Sequence, residues 1–286
     1  MEWLHRLWPA SSKKPHSVPL PTPVSLHRED LSMLSCDDML VGWKQNGVRI
    51  ALIFGWEEIG VFIAKMTRKK HVLKTQYVAA KDIPEDEPDL FDGTLLDVEE
   101  MPDGRYVLLD VITCAGKGVF VQPFEQRLQA FLTIYPRYKA MLDKYNFFLR
   151  EKKWFCSVKA ALRQREQVED GLIFMNKSLP YGYGSNPHLK KWKTEHTIDL
   201  ECKNGTFGYL DQNGWMNVNT LGVEIDGSKD VVDGIYECAP VEGKKNKWKV
   251  KNSRPDKRYA NFQTTVEDTL KSREENITLD ELILLK

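Results

Sequence analysis

Between residues 39 and 110 the apolar positions come in short runs rich in β-branched and aromatic side chains. Gly55, Gly60, an acidic stretch at 84–89 and the triplet Pro102-Asp103-Gly104 break these runs. Runs of that length predict strands, and the triplet predicts a hairpin turn, because proline presets one turn dihedral and glycine accepts a positive φ. From 123 to 153 the period changes. Phe124, Leu128, Phe131 and Tyr135, then Tyr138, Leu142 and Tyr145, recur at helical spacing with Pro136 between them, which predicts two amphipathic helices broken at the proline. Their aromatic stripe reads as a core face. Residues 160–167 predict a further short helix leading into a strand that opens at Asp170.

The ends of the chain carry their own signals. Pro21 and Pro23 hold an extended entry, and Ser25 is placed to cap a short helix through Leu26, Leu31 and Leu34. After Lys193, Asn204-Gly205, Asn213-Gly214, Asp226-Gly227 and Asp233-Gly234 punctuate short β-type runs at the spacing of a small antiparallel barrel. From Thr264 the tail reads as helical, with Thr278 capping a last helix that carries Leu279, Leu282 and Ile283. The expected organisation is α+β. It comprises a loosely ordered lead-in over 1–20, a first domain over 21–196, a β domain over 197–263, and a helical segment over 264–286 that returns to the first domain.

Composition adds exclusions. The 286 residues are 42% hydrophobic and 29% charged, enough for one large core or two smaller ones. Lys+Arg and Asp+Glu both number 41, so no global field draws the molecule to nucleic acid, and any such contact must be local. Five widely spaced cysteines form neither a disulfide framework nor a zinc knuckle, and the six histidines show no metal-ligand spacing. The first residues lack the apolar core of a secretion signal, and the apolar stretches are too short to span a bilayer. These features predict an intracellular protein of a reducing compartment.

The chemistry-bearing residues come in a fixed order. Lys44 opens the segment Lys44-Gln45-Asn46-Gly47-Val48-Arg49 between two apolar runs, where a tight turn can present an amine to a nucleotide's phosphates. Asp92-Gly93 follows, then Asp170 at the mouth of Leu172-Ile173-Phe174, a carboxylate suited to a divalent cation on the α-phosphate. In Lys191-Trp192-Lys193 strand alternation puts both ammonium groups on one face and the indole on the other, as one phosphate wall requires. Arg254, Asp256 and Lys257 form a compact group suited to the β- and γ-phosphates. Singly, each is an ordinary solvated lysine, turn or loop. Their order and spacing are what those ordinary readings leave unexplained.

Together these segments resemble the covalent nucleotidyltransferase superfamily, and most closely its mRNA capping guanylyltransferases rather than the polynucleotide ligases. The resemblance runs from about Pro21 to Leu285. It rests on Pro23-Val24-Ser25-Leu26 with Arg28 and Leu31 before Trp43-Lys44, and on Asp170 to Phe174 with Pro180-Tyr181, Gly184 and 189–193. Trp248 with Arg254, Asp256, Lys257 and Asn261, and the closing Ile277-Thr278 and Glu281-Leu282, complete it. It implies a nucleotidyltransferase domain of two antiparallel sheets forming a cleft, an OB-fold β-barrel, and a terminal helix packing back on the first domain. It also implies a two-step reaction in which Lys44 takes GMP from GTP, releases pyrophosphate, and passes GMP to a diphosphate-ended RNA, with Mg²⁺ or Mn²⁺ as cofactor. Arg49, Arg68, Asp92, Lys191, Lys193, Arg254, Asp256 and Lys257 are then nucleotide-binding and Asp170 metal-binding. RNA triphosphatase and cap methyltransferase activities would come from separate proteins, in the nucleus, the cytoplasm or a viral factory.

Four positions depart from the family pattern: Asn46 for an aspartate, Thr94 for a glutamate, Leu109 for an aromatic that stacks on the purine, and Asn252 for an arginine. Asp97, Glu99 or Glu100 is a candidate to supply the carboxylate missing at Thr94. Two readings stand beside the first. One is a nucleotide, cap or RNA-end binding module of the same fold without turnover; the other is a polynucleotide ligase forming lysyl-AMP.

Overall fold

The computed structural model describes residues 20–57, 60–67, 72–83, 93–164, 170–227 and 231–285. Two compact units divide the chain. One takes in Ser35–Lys191 with the described residues up to Val24, the other Ser25–Leu34 and Trp192–Lys286.

In the first unit β1 (Thr22–Ser25) is followed by α1 (Leu31–Leu34), which belongs with the second unit, and then by β2 (Met39–Trp43). Next come β3 (Val48–Glu57), β4 (Gly60–Met66), β5 (Val72–Tyr77), β6 (Thr94–Glu100), β7 (Tyr106–Cys114) and β8 (Lys117–Gly118). Helix α2 (Phe124–Lys144), β9 (Leu149–Glu151), α3 (Val158–Arg163), β10 (Gly171–Asn176) and β11 (Ser185–Lys193) complete the series. They form two sheets, a four-stranded one ordered β1-β11-β10-β2 and a seven-stranded one ordered β5-β4-β3-β6-β7-β8 with β9 parallel to β7.

The central strands of the larger sheet, β4, β6 and β7 with β3 between them, are buried on both faces, so they read as continuous apolar runs rather than alternating ones. Ile50, Leu52 and Phe54 of β3 pack with Val98, Leu108 and the α2 residues Phe131, Tyr138 and Leu142. The intervening Ala51 and Ile53 join Leu20, Phe62, Leu95, Ile112 and Tyr181 on the other face. The Pro102-Asp103-Gly104 turn joins β6 to β7, with Gly104 at φ 80°, a value its lack of a Cβ allows.

The expected break at Pro136 does not occur. Helix α2 runs unbroken for 21 residues with the proline inside it. Pro136 is exposed, while Phe131, Tyr138, Met141 and Leu142 are buried, and that apolar burial outweighs the one backbone hydrogen bond the proline removes. Ser25 also departs from expectation. It ends β1, and His27 is the N-cap of the short helical turn that precedes α1.

In the second unit β12 (Ile198–Lys203), β13 (Thr206–Asp211), β14 (Gly214–Asn217), β15 (Glu224–Asp226), β16 (Gly234–Pro240) and β17 (Lys247–Ser253) form one sheet ordered β14-β13-β12-β16-β17-β15. Every pairing is antiparallel except β15 with β17, an arrangement consistent with an OB-type barrel. Its core gathers Ile198, Leu200, Phe207, Tyr209, Trp248 and Val266.

Val266 lies on α4 (Gln263–Glu275), which is followed by α5 (Leu279–Leu284), capped by Thr278 and Glu281 in a reciprocal box. The helical segment packs on β12 and β13 with the apolar side of α4 buried in that core, and it also meets residues 25–34, which the sequence reading counts in the first domain. Its polar side holds Ser25–Leu34: Ser25 Oγ donates to Asp268, and the ring nitrogens of His27 lie 2.9 Å from Asp268 and 2.9 Å from Glu275.

Candidate active site

Lys44 sits where the chain leaves β2, in the smaller sheet, for β3, in the larger one. Its backbone N–H donates to the Gly171 carbonyl at 2.9 Å, and its carbonyl accepts from Asp170 N–H at 3.1 Å. That pair continues the β2–β10 ladder by one step and fixes both residues side by side. Lys44 Nζ consequently meets Asp170 Oδ2 at 2.5 Å, with the lysine side chain 21% exposed. Gly47 leaves no room for a side chain, since a Cβ there would lie 2.6 Å from the Glu100 carbonyl and 2.7 Å from Glu99 Cγ. Its N–H donates to Glu99 Oε1 at 2.9 Å, pinning the turn that presents the lysine.

The amine faces a cavity of about 460 Å³ within the first unit, lined by residues of both sheets. Arg49 from β3, Asp97 and Glu99 from β6, Leu109 and Asp110 from β7, and Ile173 and Met175 from β10 all contribute. Arg49 Nε donates to Asp97 at 2.8 Å, a second guanidinium nitrogen donates to the other carboxylate oxygen, and Nη1 donates to the Pro21 carbonyl. Burial acts to lower the Arg49 pKa, but the Asp97 carboxylate overrides it and holds the group above its ordinary value. Tyr181 O–H donates to the same carboxylate at 2.8 Å, and burial, reinforced by Asp97, pushes this phenol well above its ordinary value. Arg127 of α2 forms a bidentate pair with Asp110 at 2.8 and 2.7 Å; burial outweighs that pairing and raises the carboxyl above the ordinary range. Lys152, nearly buried, donates to the Trp43 carbonyl just before the nucleophile loop.

The structure therefore brings Lys44 and Arg49 to one cavity, with Asp170 held against the Lys44 amine. Arg68 and Asp92 lie outside the described residues. Lys191 and Lys193 flank Trp192 on β11, whose indole is buried and donates to the Ile277 carbonyl at 2.8 Å; neither lysine lines this cavity. Arg254, Asp256 and Lys257 belong to the second unit, where they assemble around Asp199. Arg254 reaches Asp199 at 3.0 Å and Asp256 at 2.9 and 2.8 Å, and Lys257 reaches Asp199 at 3.6 Å. Arg254 in turn holds the Asp256 carboxyl down at about 2.

Of the carboxylates left open in place of Thr94, Asp97 and Glu99 line the cavity, whereas Glu100 turns to Lys65 and Tyr106. Thr94 itself is buried and accepts from Ala115 N–H. The signal was in the sequence: acidic residues at 97 and 99, two apart inside an apolar strand, share one face. Asn46 and Asn252 are both exposed, and Leu109 lines the cavity with Ile173.

Sequence comparison matches residues 5–195 to the mRNA capping enzyme catalytic domain and residues 173–283 to the mRNA capping enzyme C-terminal domain. The chain belongs to the mRNA capping enzyme family. It is accordingly a nucleotidyltransferase, a guanylyltransferase of RNA capping. Among its relatives, the mRNA-capping enzyme subunit alpha of Neurospora crassa is 23% identical over 91% of this chain and 82% of its own. That of Schizosaccharomyces pombe is 25% identical over 94% and 80%. The mRNA-capping enzyme of Danio rerio is 26% identical over 91% of this chain but only 48% of its own length. Among solved structures, a mycobacterial DNA ligase D complexed with ATP and MES overlays 84% of this chain and 96% of its own at 11% identity, TM-score 0.49.

Proposed function

We propose that Lys44 is the nucleophile of a two-step guanylyl transfer and that the first-unit cavity holds GTP. The contact between Lys44 Nζ and Asp170 at the edge of that cavity carries the reading. In the first step Nζ attacks the α-phosphorus of GTP, an N–P bond forms, the bond from the α-phosphorus to the bridging oxygen breaks, and pyrophosphate leaves. The ammonium gives up its proton to solvent before the attack, and Asp170, in hydrogen-bond contact, holds Nζ in place. In the second step a terminal oxygen of an RNA 5′-diphosphate attacks the same phosphorus, and the N–P bond breaks to restore the amine.

Arg49, fixed by Asp97 and the Pro21 carbonyl, contributes an oriented positive charge to the cavity wall. Leu109 and Ile173 supply apolar surface for the base. Among the described residues no group of three or more His, Cys, Asp or Glu side chains forms a metal cage. A single carboxylate beside the nucleophile suits Mg²⁺ or Mn²⁺, which bind through one or two carboxylates with substrate phosphates and water completing the shell. Asp170 would hold such a cation, which when bound neutralises phosphate charge.

The partners in this reading are GTP, an RNA 5′ end, and separate triphosphatase and methyltransferase proteins. The words "subunit alpha" in the names of the two fungal relatives accord with a multi-protein arrangement. No described helix is long and apolar enough to cross a membrane. A nuclear or cytoplasmic setting is the one that supplies these substrates.

Incubation with α-labelled GTP and a divalent cation should give a covalent, acid-labile adduct that Lys44→Ala abolishes. An adduct with ATP alone would replace this reading with a ligase. No Lys44-dependent adduct with either nucleotide would replace it with a binding module.

A further inference from the structure

We propose that the second unit carries a separate docking site for an acidic peptide segment of a partner protein, centred on Arg273 in the last turn of α4. The site is a cavity of about 800 Å³, floored by Leu221, Val223 and Leu270 and walled by Trp248, Lys244 and Arg273. None of these residues belongs to the nucleotide-binding set assigned above.

Arg273 is the anomaly. Arg49, Arg127 and Arg254 each hold a carboxylate. Among the described residues Arg273 holds none; its guanidinium donates to the main-chain carbonyls of Lys245 at 2.6 Å and Lys244 at 2.7 Å, and lies 5.2 Å from the centre of the Trp248 ring. Carbonyl dipoles orient a guanidinium without cancelling its charge. The surroundings register the uncancelled field: burial, with no anion to offset it, lowers the Arg273 pKa, and the nearby His196 is lowered by burial, Lys193 and Arg273. Trp248 is fully buried, and its indole N–H has no acceptor.

Charge therefore selects an anion, and the floor selects its type. Aliphatic side chains beneath a cation take a chain that alternates acidic and apolar residues. A single-stranded RNA fits less well. Sequence-tolerant RNA grooves depend on exposed aromatic faces for stacking, and the only aromatic among the described residues lining this cavity is wholly buried.

The test is fluorescence anisotropy on the full chain with a labelled ten-residue peptide alternating aspartate and leucine, against the same peptide with asparagine for aspartate. The aspartate peptide should bind at least about tenfold more tightly. Arg273→Gln and Lys244→Glu should each weaken it about tenfold while leaving the lysyl-GMP adduct unchanged. Thermal melting of both variants checks folding, and Lys244→Glu, at an exposed position, decides the matter if Arg273→Gln unfolds. Equal binding of the two peptides, or variants that bind like the parent, would overturn the proposal. Displacement of the peptide by a short single-stranded RNA at equal concentration would overturn it in favour of RNA. Because adduct formation is read separately, loss of the adduct with peptide binding intact would count against the catalytic reading alone.

Discussion

Arg127 and Asp110 form the most deeply buried ion pair of the first unit's cavity, with side chains 2% and 8% exposed. Two parallel hydrogen bonds and the Gln122 and Leu179 carbonyls use the guanidinium's donors. Arg127→Met should leave a buried carboxylate without its cation and cost about 3–5 kcal/mol at neutral pH, measured by denaturant unfolding. The pH dependence follows from the raised Asp110 pKa. A carboxyl whose folded pKa lies above its unfolded value contributes stability that is present below the unfolded value and lost as pH rises through the folded one. The Arg127→Met deficit should therefore shrink as pH falls and the lone carboxyl takes up a proton. At this scale Lys44 and Asp170 stood out by residue type and local context, and the structure puts the two in contact. Arg127 did not stand out, since helical spacing showed only that it flanks an apolar stripe.

Helix α2 shows how an element overrides its local rule. Pro136 removes the hydrogen bond to the Leu132 carbonyl and still sits within an unbroken helix, on its exposed side. Pro136→Ala should restore that bond and raise the stability of the protein by about 1–3 kcal/mol, read from the urea midpoint. No change or a loss would mean that the proline's restriction of the unfolded chain balances the strain. Strands and turns were the legible elements: the β6–β7 hairpin forms at Pro102-Asp103-Gly104, and Asn204-Gly205 joins β12 to β13 with both residues at positive φ. The cap of the first helical turn was misread. Ser25 has the right chemistry for a cap, but its hydroxyl is taken by Asp268, 243 residues away, which no local pattern encodes.

Across the whole molecule, charge placement differs between the two units even though the totals cancel. In the second unit His196 is held below its ordinary value of 6.5 by burial, Lys193 and Arg273. A group with a depressed folded pKa contributes stability that is present above its unfolded value and lost as pH falls through the folded one. The melting temperature should therefore drop between about pH 7 and about pH 5, and His196→Gln should flatten that slope. An unchanged slope would assign the pH response to other groups. The sequence by itself determined the strand-rich character, the turns, the final capped helix and the order of the chemical segments, because each depends on neighbours a few residues apart. Only the tertiary structure decided that Asp97 and Glu99 rather than Glu100 face the cavity, that α4 clasps Ser25–Leu34, and that Arg273 is left without a carboxylate among the described residues. Those outcomes depend on which strand faces which cleft and which charges meet across long stretches of chain. That is settled by burying apolar surface over the whole fold rather than by any local preference.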